Sequence, residues 1–234
     1  SDLAKVKGTK VKIRLGASSG EWKAMVADEA ARTTFAKNIK TVLEKNKLDG
    51  IDLDFEWAEN EKEYKDYSLA ILKMREVLGD KYLFSVSLHP VCYKISKEAI
   101  EAVDFISLQC YGPSPVRFPI EKYCSDIQMV LEYGIPKEKL VAGVPFYGVT
   151  KDNSKKTEAY FNFVQNGLVT SPAQNEVIYQ GDTYVFDGQD NIRIKTRYAK
   201  EQKLKGMMSW DLATDLPLSD SRSLLKTMTE ELRE

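Results

Sequence analysis

Asp49-Gly50-Ile51-Asp52-Leu53-Asp54-Phe55-Glu56-Trp57 sets three carboxylates, those of Asp52, Asp54 and Glu56, at two-residue spacing inside an otherwise apolar run. Side chains alternate across a strand, so these acids share one face while Ile51, Leu53 and Phe55 share the other. Acids opposite apolar residues suit a parallel barrel strand whose outer side meets helices and whose inner side leads up to a site. Glu56, at the C-terminal end, is the acid expected to meet substrate. Three explanations compete for the row. An edge strand with solvated acids fits poorly, because the flanking runs are apolar and interleaved with helices. A hard divalent cation would suit clustered Asp and Glu oxygens, yet the only histidine is His89 and no second acidic cluster stands at another strand end. The third is acid/base chemistry, in which crowded carboxyls cannot all ionise and one stays protonated to donate a proton.

Asp49-x-x-Asp52-x-Asp54-x-Glu56, with Gly50 in place, resembles the DxxDxDxE signature of glycoside hydrolase family 18, the chitinases and endo-β-N-acetylglucosaminidases. Leu140-Val141-Ala142-Gly143-Val144-Pro145-Phe146-Tyr147-Gly148 resembles that family's seventh barrel strand, and Gly206-Met207-Met208-Ser209-Trp210-Asp211-Leu212 its eighth. Val11 to Ser19 looks like the third strand, where an SxGG segment falls on Arg14 to Ala17 and only Gly16 keeps the pattern. The resemblance covers nearly the whole chain in the family's order. It implies an α/β (β/α)8 TIM barrel and a retaining glycosidase acting on β-1,4-linked N-acetylglucosamine, without metal or organic cofactor. On that basis Glu56 is the acid/base, Asp54 orients the substrate's 2-acetamido group, and Asp52 poises Asp54 by sharing a proton. Tyr111 hydrogen-bonds the acetamido oxygen, Trp210 floors the sugar, and Gln109, Tyr147 and Trp57 join the substrate-binding set. Asp49 and Gly50 complete the structural motif. Gly112 and Val149 depart from the family's usual aspartate or asparagine and arginine. A catalytically weak sugar-binding relative, or an endo-acting N-glycan or peptidoglycan hydrolase, would carry much the same residues.

The 234 residues are 43% hydrophobic and 29% charged, enough for one sizeable core. A net charge of −1 gives no electrostatic case for nucleic acid or an anionic membrane. No apolar run reaches the ~20 residues that span a bilayer. Cys92, Cys110 and Cys124 match neither a zinc site nor a CxxC pair, and Cys110 reads as a core residue. Ser1-Asp2-Leu3 shows no signal-peptide pattern, although the resemblance implies an extracellular, periplasmic or cell-surface protein.

Helical spacing marks Lys23 to Lys45, a segment opening at Glu59 to Asp66 and stopped by Gly79, Pro119 to Tyr133, Ile192 to Lys203 and Ser219 to Leu232. Strands are expected at Tyr82 to Leu88 and Val103 to Pro113, with Gln109 and Tyr111 on one face of the latter. His89, ending the former, is expected to be a structural, hydrogen-bonded histidine. From Thr150 to Asp190 the rhythm breaks into short strands at Tyr160 to Phe163, Glu176 to Tyr179 and Thr183 to Phe186, an insertion like the one the family places after strand seven. The chain therefore divides into a leading barrel segment with strands three to seven (1–149), a small α+β insertion (150–190) and a closing barrel segment with strand eight and the last helix (191–234). Six barrel strands are counted where a complete barrel has eight, and by resemblance the first two βα units are absent. Preceding chain is expected to fill the gap beside the strand near residue 12, and this stretch alone to be poorly soluble and weakly active.

Overall fold

A computed structural model describes residues 9–18, 20–112, 118–152 and 156–233, in two compact units, Ser1–Ile106 and Ser107–Glu234. The first unit holds β1 (Arg14–Ala17), β2 (Gly50–Leu53) and β3 (Leu83–Leu88), with α1 (Trp22–Ala27), α2 (Glu29–Asn46), α3 (Glu61–Leu78) and α4 (Lys97–Ala102) between and after them. The acid strand β2 runs parallel between β1 and β3, in a register that sets Gly16, Asp52 and Ser85 side by side. The single helix expected from Lys23 to Lys45 is two. Asp28 is extended and its carboxylate accepts from Ala31 N at 2.7 Å, so it ends α1 and caps α2. Asn60 starts α3 in the same way, and Gly79, at φ 61°, ends it.

The strand expected over residues 49–57 is shorter than the alternation suggests. Asp54 N still donates to Ala17 O at 2.9 Å, but β1, its neighbour on that side, ends there. Gly50 is fixed by packing, since a Cβ at this position would lie 1.9 Å from Leu83 O. Gly50→Ala must push β2 and β3 apart. A loss of about 1–3 kcal/mol or more in denaturant unfolding is expected, and an unchanged midpoint would contradict the close approach.

β4 (Phe105–Leu108) crosses the division between the units. The strand expected over residues 103–113 thus ends before Gln109 and Tyr111, and period two does not govern their facing. The second unit continues with α5 (Ile120–Tyr133), β5 (Leu140–Pro145), β6 (Tyr147–Thr150), β7 (Thr157–Ala159), α6 (Tyr160–Gln165), β8 (Glu176–Tyr179), β9 (Asp182–Val185), α7 (Gln189–Glu201), β10 (Gly206–Trp210) and α8 (Leu224–Arg233). β5 and β10 pair in parallel, Gly143 beside Met208 and Pro145 beside Trp210. The stretch Leu140 to Gly148 is two strands. Pro145 has no N–H for the ladder, and from Tyr147 the chain pairs antiparallel with β7 and β9 instead.

Four strands form an antiparallel sheet in the order β7-β6-β9-β8. Tyr160 to Phe163, expected as strand, lies in α6. Residues three apart share a helix face but would sit on opposite faces of a strand, and both Tyr160 and Phe163 are buried against Phe186, with ring centroids 5.7 and 5.4 Å away. Just past β9, Asp187 pairs with Lys195 of α7 at 2.5 Å, the two side chains 0% and 2% exposed. The architecture is α/β, and six strands alternate with helices among the described residues. Residues 1–8, which precede β1 in the chain, are outside the described residues.

Candidate active site

Asp49 closes the entry to the acid strand. Its carboxylate accepts from Ile13 N at 2.8 Å and from Lys12 Nζ at 3.1 Å. The backbone donor first and the ammonium second hold its pKa below the ordinary aspartate value. Asp52, three residues on, is enclosed by neighbouring strands. Its Oδ1 accepts from Arg14 Nη1 at 3.2 Å and from Ser85 Oγ, and its Oδ2 from Ser87 Oγ at 2.7 Å.

From Leu53 onward the backbone is fixed by two helix side chains and by Cys92, which follows β3. Tyr67 OH of α3 donates to Leu53 O at 3.4 Å, Trp22 Nε1 of α1 to Glu56 O at 3.0 Å, and Ala58 N to Cys92 Sγ at 3.2 Å. Phe55 stacks on Trp22 at 5.4 Å with planes 10° apart, and Phe35 and Tyr67 tilt against it. Burial first, and then the charges of Asp52, Cys92 and Asp54, push the Tyr67 phenol well above its ordinary pKa, so it remains a donor. The alternation predicted from the sequence survives the loss of regular strand: Leu53 and Phe55 are buried, Asp52 and Asp54 half-buried, and Glu56 exposed. An exposed carboxyl on an anchored main chain can meet an incoming molecule without backbone movement.

Trp57 follows Glu56 through a cis peptide bond and packs its ring 5.0 Å from that of His89. Its Nε1 is buried without a hydrogen-bond partner among the described residues. His89 is buried, exchanges backbone hydrogen bonds with Cys92, and accepts from Val91 N at Nδ1 at 3.3 Å, so it is hydrogen-bonded. Among the described residues no three of His, Cys, Asp and Glu are grouped to hold a metal ion.

The other expected site residues belong to the second unit. Gln109 and Tyr111 are buried just past β4. Tyr111 OH donates to Met208 Sδ at 3.9 Å, and its ring meets Tyr147 edge-on at 6.3 Å. Tyr147, half-buried, is also edge-on to Phe118 at 6.4 Å, and Val149 belongs to the same cluster. Gly143 makes room for this packing, since a Cβ there would lie 2.6 Å from Leu108 O and 3.0 Å from the Tyr111 ring. Trp210 is 55% exposed at the end of β10, its carbonyl held by Phe146 N at 2.8 Å. Beyond it Asp211 caps the short turn Leu212–Thr214, accepting from Thr214 N at 3.1 Å.

Within the first unit, then, Asp49, Gly50, Asp52, Asp54, Glu56 and Trp57 follow one another on and beyond β2; within the second, Tyr111 and Tyr147 meet. Arg14, Trp22, Tyr67, Ser85, Ser87 and Cys92 were not anticipated as supports. Only Ser85 and Ser87 carried a signal, as polar positions alternating with Phe84, Val86 and Leu88.

Known proteins match this chain along its length. The model of glycosyl hydrolases family 18 matches residues 1–215. A probable chitinase 2 of Drosophila melanogaster is 23% identical over 88% of this chain and 56% of its own length. The chain spans about half the length of the curated relatives it matches, 42% of another and 65% of a third. Among solved structures, a chitinase from Bacteroides thetaiotaomicron superposes with a TM-score of 0.83 at 21% identity, covering 94% of this chain and 76% of that one. A chitinase-like agglutinin from Robinia pseudoacacia does so at 0.82 and 19% identity, covering 98% and 83%. At these identities the likeness shows the fold, here a partial (β/α)8 barrel.

Proposed function

Because the chain belongs to glycosyl hydrolases family 18, we propose that it is a retaining glycosidase cleaving β-1,4-linked N-acetylglucosamine polymers of the chitin type. The observation that carries this is the exposed Glu56 at the end of the acid row, on a main chain tied down at Leu53, Glu56 and Ala58. In this proposal Glu56 gives its proton to the glycosidic oxygen as the bond to the anomeric carbon breaks. The substrate's own acetamido oxygen attacks that carbon from the other face, and an oxazolinium ion forms. Water then attacks the anomeric carbon as Glu56 takes its proton and the oxazolinium C–O bond breaks, which restores the acid and retains the configuration. Asp54 orients and balances the acetamido group, with Asp52 beneath it. Tyr111 and Gln109 address the acetamido side, and Tyr147 and Trp57 line the sugar. No described helix is long and apolar enough to cross a membrane, and action outside the cell or at its surface is part of the same proposal.

Incubation with chitooligosaccharides and with an N-glycoprotein, products read by mass, tests this directly. Oligosaccharide cleavage supports the chitin-type substrate, glycan release points to the endo-acting alternative, and no cleavage of either overturns hydrolysis. Sugar binding without turnover is favoured by the burial of Tyr111, whose hydroxyl is directed at Met208, and the same fold serves in the agglutinin. Calorimetry separates these outcomes. Trp210→Ala is expected to weaken chitooligosaccharide affinity by about tenfold, as for loss of an exposed aromatic platform. Unchanged affinity would take Trp210 out of the binding surface.

A further inference from the structure

We propose that Arg14 is a positioning residue for the acid row, clamping Asp52 between β1, β2 and β3; this inference rests on the glycosidase reading above. Opposite Asp52 on β1 stands Gly16, which brings no side chain. The group that meets Asp52 comes instead from Arg14, two residues earlier. Its Nη1 donates to Asp52 Oδ1 at 3.2 Å and to Ser85 Oγ, and Ser85 in turn donates to the same Oδ1. Ser87 Oγ completes the enclosure at Oδ2, 2.7 Å away. Arg14, Ser85 and Asp52 therefore form a closed triangle spanning three strands, and both carboxylate oxygens are engaged.

Two features set the arrangement apart from an ordinary surface ion pair. The side chains of Arg14 and Asp52 are 27% and 16% exposed, so water screens them less than it screens a pair in the open. The guanidinium also lies over the Phe105 ring, its Cζ 4.6 Å from the centroid, which restricts the plane in which it donates. A fork held in plane directs its donors, which a flexible ammonium does not do. The carboxylate it fixes is two residues before Asp54 and four before Glu56, on backbone whose next link is Asp54 N to Ala17 O at 2.9 Å. Arg14 thus touches no reacting atom in this scheme. It sets where the row stands, and placement errors of about 1 Å in a catalytic group cost up to about a hundredfold in rate.

The test compares kcat and KM on a chitooligosaccharide for wild type, Arg14→Met, Arg14→Lys and Ser87→Ala, each with its unfolding midpoint. Arg14→Met is expected to lower kcat by about tenfold to a hundredfold with KM within about twofold, the signature of an effect confined to the chemical step. Arg14→Lys should recover part of the loss. Ser87→Ala, which loosens Oδ2 alone, should give a smaller fall in kcat and keeps the test decisive if Arg14→Met does not fold. In an Asp52→Asn background the Arg14→Met change should cost less than about twofold, because the two act as one unit. An equal loss in both backgrounds, an effect on KM alone, or a full kcat in Arg14→Met and Ser87→Ala overturns the inference while leaving the glycosidase reading intact. An inactive wild type overturns that reading and this inference with it.

Discussion

Glu56→Gln is expected to lower kcat on chitooligosaccharides by about 10²–10⁴-fold, the usual contribution of a general acid, with affinity almost unchanged. The amide keeps the size of the carboxyl and its place at the end of the row but has no acidic proton to give. The fold should not notice the change. Glu56 is exposed, and its stretch is also held by its carbonyl, which receives the Trp22 indole N–H, and by the Phe55 ring, which packs among Trp22, Phe35 and Tyr67. Steady-state kinetics, calorimetric affinity and a melting curve on the same preparation separate these effects. A variant that keeps most of its turnover would move the proton donor elsewhere, and one that melts much earlier would make the kinetic loss uninformative about chemistry.

Lys195→Met is expected to cost about 3–5 kcal/mol of stability near neutral pH, as for removing one partner of a buried ion pair. Asp187 and Lys195 are nearly sealed from water, and the ammonium lies 5.5 Å from the centroid of the Tyr123 ring. Without it a carboxylate remains buried with Asn191 as its other neighbour, donating at 3.1 Å. The pH dependence has a definite sign. Burial already raises the Asp187 pKa against the opposing pull of Lys195, so loss of the cation raises it further. A carboxyl whose folded pKa exceeds its unfolded one destabilises the fold when ionised and is relieved when protonated. The deficit should therefore be largest near neutrality and shrink as the pH falls through the raised value. Denaturant unfolding of the variant and of Asp187→Asn/Lys195→Met at pH 7 and pH 5 checks both points, and a deficit independent of pH would contradict the buried-charge account.

What the sequence disclosed follows from how far apart the interacting residues lie. The alternation of Asp52, Asp54 and Glu56 against Leu53 and Phe55 is local, and it holds in the structure beyond the strand that suggested it. The split at Asp28 was also written locally, as a capping residue before Glu29, but the apolar periodicity on both sides masked it. At Tyr160 to Phe163 aromatic content argued for strand while the three-residue spacing of the buried pair argued for helix, and burial decided. The supports of the acid row are another matter. Trp22 reaches Glu56 across 34 residues, as Cys92 reaches Ala58, and nothing in the neighbourhood of either announces its partner. Gly50 could be recognised by its place in a motif, whereas its physical cause, the Leu83 carbonyl, belongs to the next strand.

The clamp on Asp52 also bears on how the first unit folds. Its links join residues 38 apart for Arg14 and Asp52, 33 for Asp52 and Ser85, and 71 for Arg14 and Ser85, with helices in the intervening chain. Loop closure must precede such contacts, and parallel pairings of this separation form slowly. Ser85 and Ser87 of β3 reach both oxygens of Asp52, and Arg14 of β1 adds the third donor, so the full set of partners is complete only when all three strands have paired. A chain in which only two of these strands have paired is therefore expected to hold Asp52 with an incomplete set of partners. Recovery of activity on refolding should therefore trail the recovery of helix signal and coincide with the last protection of the β1–β2–β3 amides.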